Sequence, residues 1–194
     1  MSSNVWFEEV NTALIKELKS AVRVKDTSGD YTSLSDNAFV VRKPDEDFKI
    51  EVFPCVSIYN RSYSFSKKRY NPAPVKVGVD TEKKIAIMED SCIPYDLLYQ
   101  IDFWTRLQTD MDCMTRTWLC SHFRQFNLHA IDDGGTDRYL NCITQGSIIR
   151  SDLVESQERL FHSIINLKIW VELDSETRYN KPMVVIQDID AKGK

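Results

Sequence analysis

Four side chains of the types that bind zinc lie within a short stretch of the sequence: Cys113, Cys120, His122 and His129. Thiolates and imidazoles are the usual ligands of structural zinc sites. Their spacing argues against such a site, because the chain has no Cys-x-x-Cys knuckle. On one helix, Cys113 and Cys120 would lie about 10 Å apart, too far to share an ion. We therefore expect no metal site here and interpret both cysteines as core residues.

Nucleophilic catalysis would require a Cys–His pair brought together from distant parts of the chain. With 3 histidines and 5 cysteines, many such pairs are possible and none stands out. His162 falls on the alternate face of a predicted strand and His122 near a helix end, which indicates surface or interface positions. The acidic segment from Asp132 to Asp137 lacks the alternating oxygen ligands and closing Glu of a calcium loop, and predicts a turn. The sequence therefore predicts no catalytic residue, no metal site and no cofactor.

Residues 60–74 predict a long loop that combines cations with aromatic rings. Its functional candidates are Arg61, Tyr63, Phe65, Lys67, Lys68, Arg69 and Tyr70. This composition suits a surface for single-stranded nucleic acid. It equally suits a protein-docking arm or a solvated, mobile loop. The formal net charge of −4 favours protein docking over nucleic acid.

Two elements give the clearest periodic signals. Residues 93–105 alternate apolar and polar side chains, the pattern of a strand with one buried face. Residues 106–123 then predict a helix, whose apolar stripe contains Leu107, Met111, Met114, Trp118 and either Leu119 or His122. A further helix is predicted over residues 4–20, capped by Ser2 or Ser3, with Trp6 and Phe7 near its start.

The remaining pattern predicts strands at 48–59, 75–79, 84–88, 128–131, 139–150, 159–173 and 183–189. Within the longest of them, Trp170 and Ile164 place large apolar side chains on the outward register. That strand is therefore either central, with a helix over each face, or partly covered by a neighbouring subunit. Two helices with six to eight strands predict one α+β domain over residues 1–194, with a largely antiparallel or mixed sheet on which both helices pack.

No run approaches 18 consecutive apolar residues, and the first residues lack the basic-then-apolar layout of a signal peptide. We therefore expect no membrane association and a product made in the cytoplasm.

Several short segments together resemble a known family. They are Pro94-Tyr95, Tyr99 with Trp104-Thr105, Asp110-Met111, and Gln157-Glu158-Arg159-Leu160-Phe161 before a long apolar strand. This pattern is similar to the neck or tail-completion proteins of tailed bacteriophages, particularly contractile-tailed ones. The resemblance covers residues 50–60 and 93–173.

The resemblance implies a non-enzymatic α+β subunit that forms a homo-oligomeric ring, often a hexamer, at the head-proximal end of the tail. Such a ring stops polymerisation of the tube or sheath and joins the tail to the head. The implied partners are other copies of the chain, tail tube or sheath proteins, and head-connector or neck proteins. The implied location is the virion, after assembly in the host cytoplasm. A tail terminator, a sheath stabiliser and a head-closure protein all fit.

A ring needs two different patches on each subunit, which meet head to tail. The sequence offers Trp6 and Phe7 as one patch and the 60–74 loop as the other, with Trp170 as a further interface residue. Lys67, Lys68 and Arg69 could also meet DNA in the lumen of the ring. The alternative is a nucleic-acid-binding module that uses the same loop.

Overall fold

The computed structural model describes residues 6–42, 50, 52–80, 82–83, 85–132, 134–155, 158–173 and 178–182. Its helices are α1 (Phe7–Ala21) and α2 (Gln108–His122), with a single 3-10 turn at Asp36–Ala38. The strands are β1 (Arg23–Lys25), β2 (Tyr31–Ser33), β3 (Phe39–Arg42), β4 (Cys55–Phe65), β5 (Val75–Asp80), β6 (Ile85–Glu89), β7 (Ile93–Thr105), β8 (Gln125–Ile131), β9 (Asp137–Glu155), β10 (Glu158–Leu173) and β11 (Arg178–Pro182).

Six strands form the main sheet, in the order β3-β4-β7-β10-β9-β8. Strands β3 and β4 are parallel, whereas the other neighbours in this sheet are antiparallel. The sheet is curled and the two helices pack on its inner face, so the predicted α+β class with a mixed sheet is confirmed. Strands β1 and β2 form a separate hairpin, and β5, β6 and β11 form a small second sheet.

The core follows the alternation that the sequence predicts for β7 and β10. Leu97, Tyr99, Ile101 and Phe103 on β7 are at most 1% exposed, and the residues of β10 from Ser163 to Val171 on the same face are equally buried. The two strands pair over their whole shared length, from Phe161 opposite Thr105 to Leu173 opposite Ile93. Continuous pairing fixes which face is buried, because a slip of one residue would turn every side chain over.

The helices cover this face with apolar stripes of helical period. Val10, Leu14 and Leu18 of α1 are buried. On α2 the buried stripe ends at His122 rather than Leu119. The prediction for Leu107 was wrong: it precedes the helix as its N-cap residue and is 59% exposed.

Several predicted boundaries differ from the structure, and three of these differences bear on the residues considered below. Trp6 has an extended backbone, so α1 begins at Phe7 and not at residue 4, and the predicted Ser caps lie outside the described residues. Residues 60–65 form the second half of β4, so the predicted 60–74 loop shrinks to residues 66–74. The strand predicted at 183–189 lies outside the described residues, and β11 at Arg178–Pro182 was missed.

One end of the main sheet, which we call the rim, brings together the residues considered below. Strands β4 and β10 end there and β7 begins there, because β4 and β10 both run antiparallel to β7. The turn between β8 and β9 lies at the same end, since Cys142 of β9 pairs with Ile169 of β10. The first turn of α1 also reaches the rim, where Trp6 contacts Tyr95.

Candidate interaction surface

Six aromatic side chains meet at the rim in one continuous group, the rim cluster: Trp6, Phe7, Tyr63, Phe65, Tyr70 and Tyr95. The ring centroid of Trp6 lies 5.7 Å from Tyr63 and 5.4 Å from Tyr95. Phe65 extends the group, at 6.2 Å from Tyr95 and 5.2 Å from Tyr70. Most of these pairs are edge-to-face, the arrangement that aromatic quadrupoles favour.

The position of the rim cluster follows from the lengths of its elements. Tyr63 and Phe65 pair with Leu97 and Tyr95, so they face the same side of the sheet as the core. However, α1 begins at Phe7 and covers this end of the sheet only with its first turn. Tyr63 therefore stays 58% exposed and Phe65 40% exposed. A continuous group of exposed aromatic side chains is typical of an interaction site.

The rim cluster also fixes the start of α1. Trp6 occupies the N-cap position, where it has no side-chain oxygen to accept a hydrogen bond. Instead, the carboxylate of Glu9 accepts a hydrogen bond from the backbone N–H of Trp6, at 3.0 Å. Ring packing against Tyr63 and Tyr95 holds the same residue from the other side.

The arrangement corrects the expectation of two separate patches. The sequence suggests Trp6 and Phe7 as one patch and the 60–74 segment as the other. In the structure Phe7 lies 5.6 Å from Tyr63, so the two groups form one surface. The sequence could not reveal this contact, because 56 positions separate Phe7 from Tyr63 along the chain.

Arg69 holds the loop of residues 66–74 against the main sheet. Its guanidinium donates to Asp96 at 3.0 Å and to the backbone carbonyl of Tyr95 at 2.6 Å, and contacts Glu172 at 3.5 Å. Lys168 adds a second ion pair to Asp96, at 2.6 Å. Burial alone would raise the pKa of Asp96, but hydrogen bonds from Lys168 and Arg69 lower it below its ordinary value. Arg69 is thus occupied within the chain, which weakens its predicted role in contacting DNA.

The other predicted cations differ from Arg69 in their surroundings. Lys67 and Lys68 are exposed, and within the described part of the chain neither forms an ion pair. Arg61 is an extra residue at a bulge in β4 and donates a long hydrogen bond of 3.4 Å to Asn166. It borders a shallow depression of about 380 Å³ on the outer face of the sheet.

Trp170 is half-buried on the outer face of the sheet. The guanidinium of Arg69 lies over its ring, 5.5 Å from the centroid. The strand that carries it, β10, is central in the sheet, but the 66–74 loop rather than a second helix shields this residue. The sequence left a helix over each face and a neighbouring subunit as alternatives for covering this strand, and the 66–74 loop of the chain itself supplies part of that cover.

A polar cluster that the sequence did not predict lies on the outer face, around Asp102. This carboxylate is fully buried and accepts from Arg42 at 3.0 Å, His162 at 2.9 Å and Gln100 at 2.8 Å. The ring of His162 stacks on Trp104, with centroids 3.6 Å apart and planes 7° apart. The sequence signal that could have indicated this cluster is an aspartate inside a long strand. Charged residues are rarely buried unless they are paired, so such an aspartate predicts a partner.

The Asp102 cluster borders two potential nucleophiles, Cys55 and Ser57. Burial, with a contribution from the charge of Asp102, raises the pKa of Cys55 to about 11, so its reactive thiolate is scarce at neutral pH. Ser57 pairs with Asp102 across the sheet, yet its hydroxyl has no hydrogen-bond partner among the described residues. The hydroxyl–imidazole bond of a catalytic triad is therefore not formed between Ser57 and His162. The contacts of Asp102 suit a structural cluster that holds β3, β7 and β10 together.

The two histidines expected at the surface are also structural. His122 is 4% exposed and bridges the helices, with its Nε2 2.9 Å from Glu17 of α1 and its ring stacked on Trp118. His162 belongs to the Asp102 cluster, and 11% of its side chain is exposed. The surface prediction for both was wrong, because each ring satisfies one nitrogen with a carboxylate and packs its face on a tryptophan.

The four zinc-type residues do not converge. Cys113 is buried as predicted, whereas Cys120 is exposed and so is not a core residue. His129 lies on β8 and contacts Asp137 at 2.7 Å. Across the described ranges, no group of three or more His, Cys, Asp or Glu side chains is arranged to hold a metal ion.

The acidic segment after β8 forms the turn that the sequence predicts. Asp132 accepts from the N–H of Thr136 at 2.7 Å and from Arg138 at 3.0 Å. Gly135 takes a positive φ of 79°, which glycine adopts without steric cost. The carboxylate of Asp132 is thereby occupied in closing the β8–β9 hairpin.

No protein-family model and no curated protein sequence matches the chain. Among the described residues, no helix is long and apolar enough to cross a membrane.

Proposed function

We propose that this protein is a structural subunit of a bacteriophage tail, which assembles into a homo-oligomeric ring at the head-proximal end. There it ends polymerisation of the tube or sheath and joins the tail to the head. The rim cluster is the observation that carries the proposal. Aromatic residues dominate binding hot spots, and three members of this cluster are at least 40% exposed.

The rest of the molecule supports an assembly role. Each of the three histidines contacts a carboxylate: His162 contacts Asp102, His122 contacts Glu17, and His129 contacts Asp137. The rim cluster is an exposed group of aromatic side chains, which suits a protein partner better than a small molecule. The sequence resemblance to neck and tail-completion proteins points the same way.

Light scattering and negative-stain imaging of the purified protein, alone and mixed with tail tubes, test the proposal. We expect rings, or caps at the tube ends. The double variant Tyr63→Ala and Phe65→Ala should keep its circular dichroism spectrum but lose assembly, since both side chains are exposed. Tyr31→Ala is the matched control, because Tyr31 is 51% exposed on the separate β1–β2 hairpin. Assembly of the double variant at the wild-type level would contradict the proposal.

A nucleic-acid-binding module is the second candidate. Exposed Lys67 and Lys68 beside the half-exposed ring of Tyr70 favour it, because cations and stacking rings together suit single strands. A monomer that ignores tail tubes, yet binds single-stranded DNA with an affinity that falls linearly on a log–log salt plot, would support this candidate.

A further inference from the structure

A second exposed apolar surface lies at the other side of the rim, on the β8–β9 hairpin. We call it the hairpin patch, and it consists of His129, Ile131, Asp137 and Tyr139. Ile131 is 53% exposed and Tyr139 is 73% exposed. The ring of His129 lies 5.3 Å from that of Tyr139, so the patch is continuous.

The two surfaces face opposite sides of the sheet. Leu128, Ala130 and Leu140 point into the core, so their neighbours in the hairpin patch point outward. The rim cluster lies on the inner face, over β4 and β7. Three intervals between neighbouring strands separate β7 from β8, roughly 15 Å in a flat sheet. One copy cannot join its own two surfaces, but two copies placed side by side can.

The charges beside the two surfaces are complementary. Lys67 and Lys68 flank the rim cluster and are exposed. On the other side, Glu8 is exposed next to Ile131, in a groove that Glu9 and Lys16 also border. Asp137 has one oxygen in contact with His129, but its side chain is 69% exposed and remains open to a cation of another copy. Opposite charges that meet across an interface set its register and accelerate its formation.

A groove beside the hairpin patch has the size of a side chain. It lies between α1 and β8, with a volume of about 270 Å³, and is bordered by Glu8, Ala13 and Ile131 among others. This is below the range of roughly 300–1,000 Å³ typical of small-molecule sites. An aromatic ring of a neighbouring copy is an occupant of suitable size and character.

We infer that the rim cluster of one copy docks on the hairpin patch of the next, with Lys67 and Lys68 facing Glu8 and Asp137. The inference rests on the proposed function, because a ring requires two different surfaces that meet head to tail. It identifies the hairpin patch as the second surface. The sequence suggested the 60–74 segment for that role, but the aromatic residues of this segment belong to the rim cluster.

Site-specific cross-linking tests this contact. A photo-reactive phenylalanine analogue replaces Tyr139, and assemblies are formed from a mixture of unlabelled and ¹⁵N-labelled protein. We expect cross-links that join the β8–β9 hairpin to residues 63–70 of a differently labelled copy. The same analogue at Tyr31, which is exposed on a separate hairpin, should not reach residues 63–70.

Charge reversal provides a second readout. Lys67→Glu with Lys68→Glu should raise the protein concentration needed for assembly by about tenfold, and Glu8→Lys with Asp137→Lys should largely restore it. Assemblies whose Tyr139 cross-links map elsewhere, or a charge reversal that nothing restores, would overturn the contact while leaving the proposed function intact. A wild-type protein that formed no assembly, alone or with tubes, would contradict both the contact and the proposed function.

Discussion

At the scale of single residues, Asp102 is a fully buried carboxylate on the outer face of the sheet. A buried carboxylate loses its hydration, and among the described residues this one regains contacts through Arg42, His162 and Gln100. These donors come from three strands, so the carboxylate links β3, β7 and β10. The pairing explains why a charged residue is tolerated in the most central part of the sheet.

Asp102→Asn tests this structural role. The amide keeps the shape but removes the charge that faces Arg42 and His162, so we expect the free energy of unfolding to fall by about 2–4 kcal/mol. Urea denaturation measures the change. Asp36→Asn is the control: it also removes a carboxylate from an ion pair, with Lys19, but at a site 92% exposed, where such pairs contribute little. Equal stability of the two variants would contradict the assignment.

At the scale of elements, Arg69 is the cation that ties the 66–74 loop to the main sheet. Arg69 reaches Tyr95, Asp96 and Glu172, which lie on two neighbouring strands. Elsewhere in the loop, the backbone N–H of Ser66 donates to the carbonyl of Pro94 at 2.9 Å, and the ring of Tyr70 packs on Phe65. Lys67 and Lys68 form no ion pair with the described residues. The order of the loop should therefore depend on Arg69 more than on its other cations.

Arg69→Ala should release the loop and expose its lysines to proteolysis. We expect endoproteinase Lys-C to cleave after Lys67 and Lys68 at least several times faster than in the wild type, because local opening governs cleavage. Arg61→Ala is the matched control, since Arg61 makes only a long hydrogen bond to an exposed side chain among the described contacts. Unchanged cleavage of the Arg69 variant would show that other contacts hold the loop.

At the scale of the whole molecule, the small sheet of β5, β6 and β11 is a separate unit. No described hydrogen bond of its strands joins it to the six-stranded sheet. Its central strand, β6, pairs with β5 on one side and β11 on the other. Without β11 it would be a two-stranded hairpin, which is marginally stable in water.

Truncation after Leu173, which removes β11, should therefore affect only the small sheet. We expect fast hydrogen exchange at the amides of β5 and β6, with the Tm of the main sheet lowered by no more than about 4 °C. A chain truncated after Pro182 retains β11 and serves as the control. Cooperative loss of the whole fold after the shorter truncation would mean that the two sheets depend on each other.

The sequence by itself determined the elements with a strong period and the class of fold. The buried faces of β7, β10 and α1 were predictable because solvent exclusion imposes periods of 2 and 3.6 on the chain. The β8–β9 turn was predictable because its Asp and Gly residues have local conformational preferences. These signals depend only on neighbours in sequence.

Only the tertiary structure decided which distant residues meet. The contact between Phe7 and Tyr63, the pairing of Asp102 with Arg42 and His162, and the use of Arg69 as a clamp each join residues far apart in the chain. Composition identified several of these residues as candidates but not their partners. Their partners are set by strand order and sheet curvature, which arise from packing of the whole chain and leave no local pattern in the sequence.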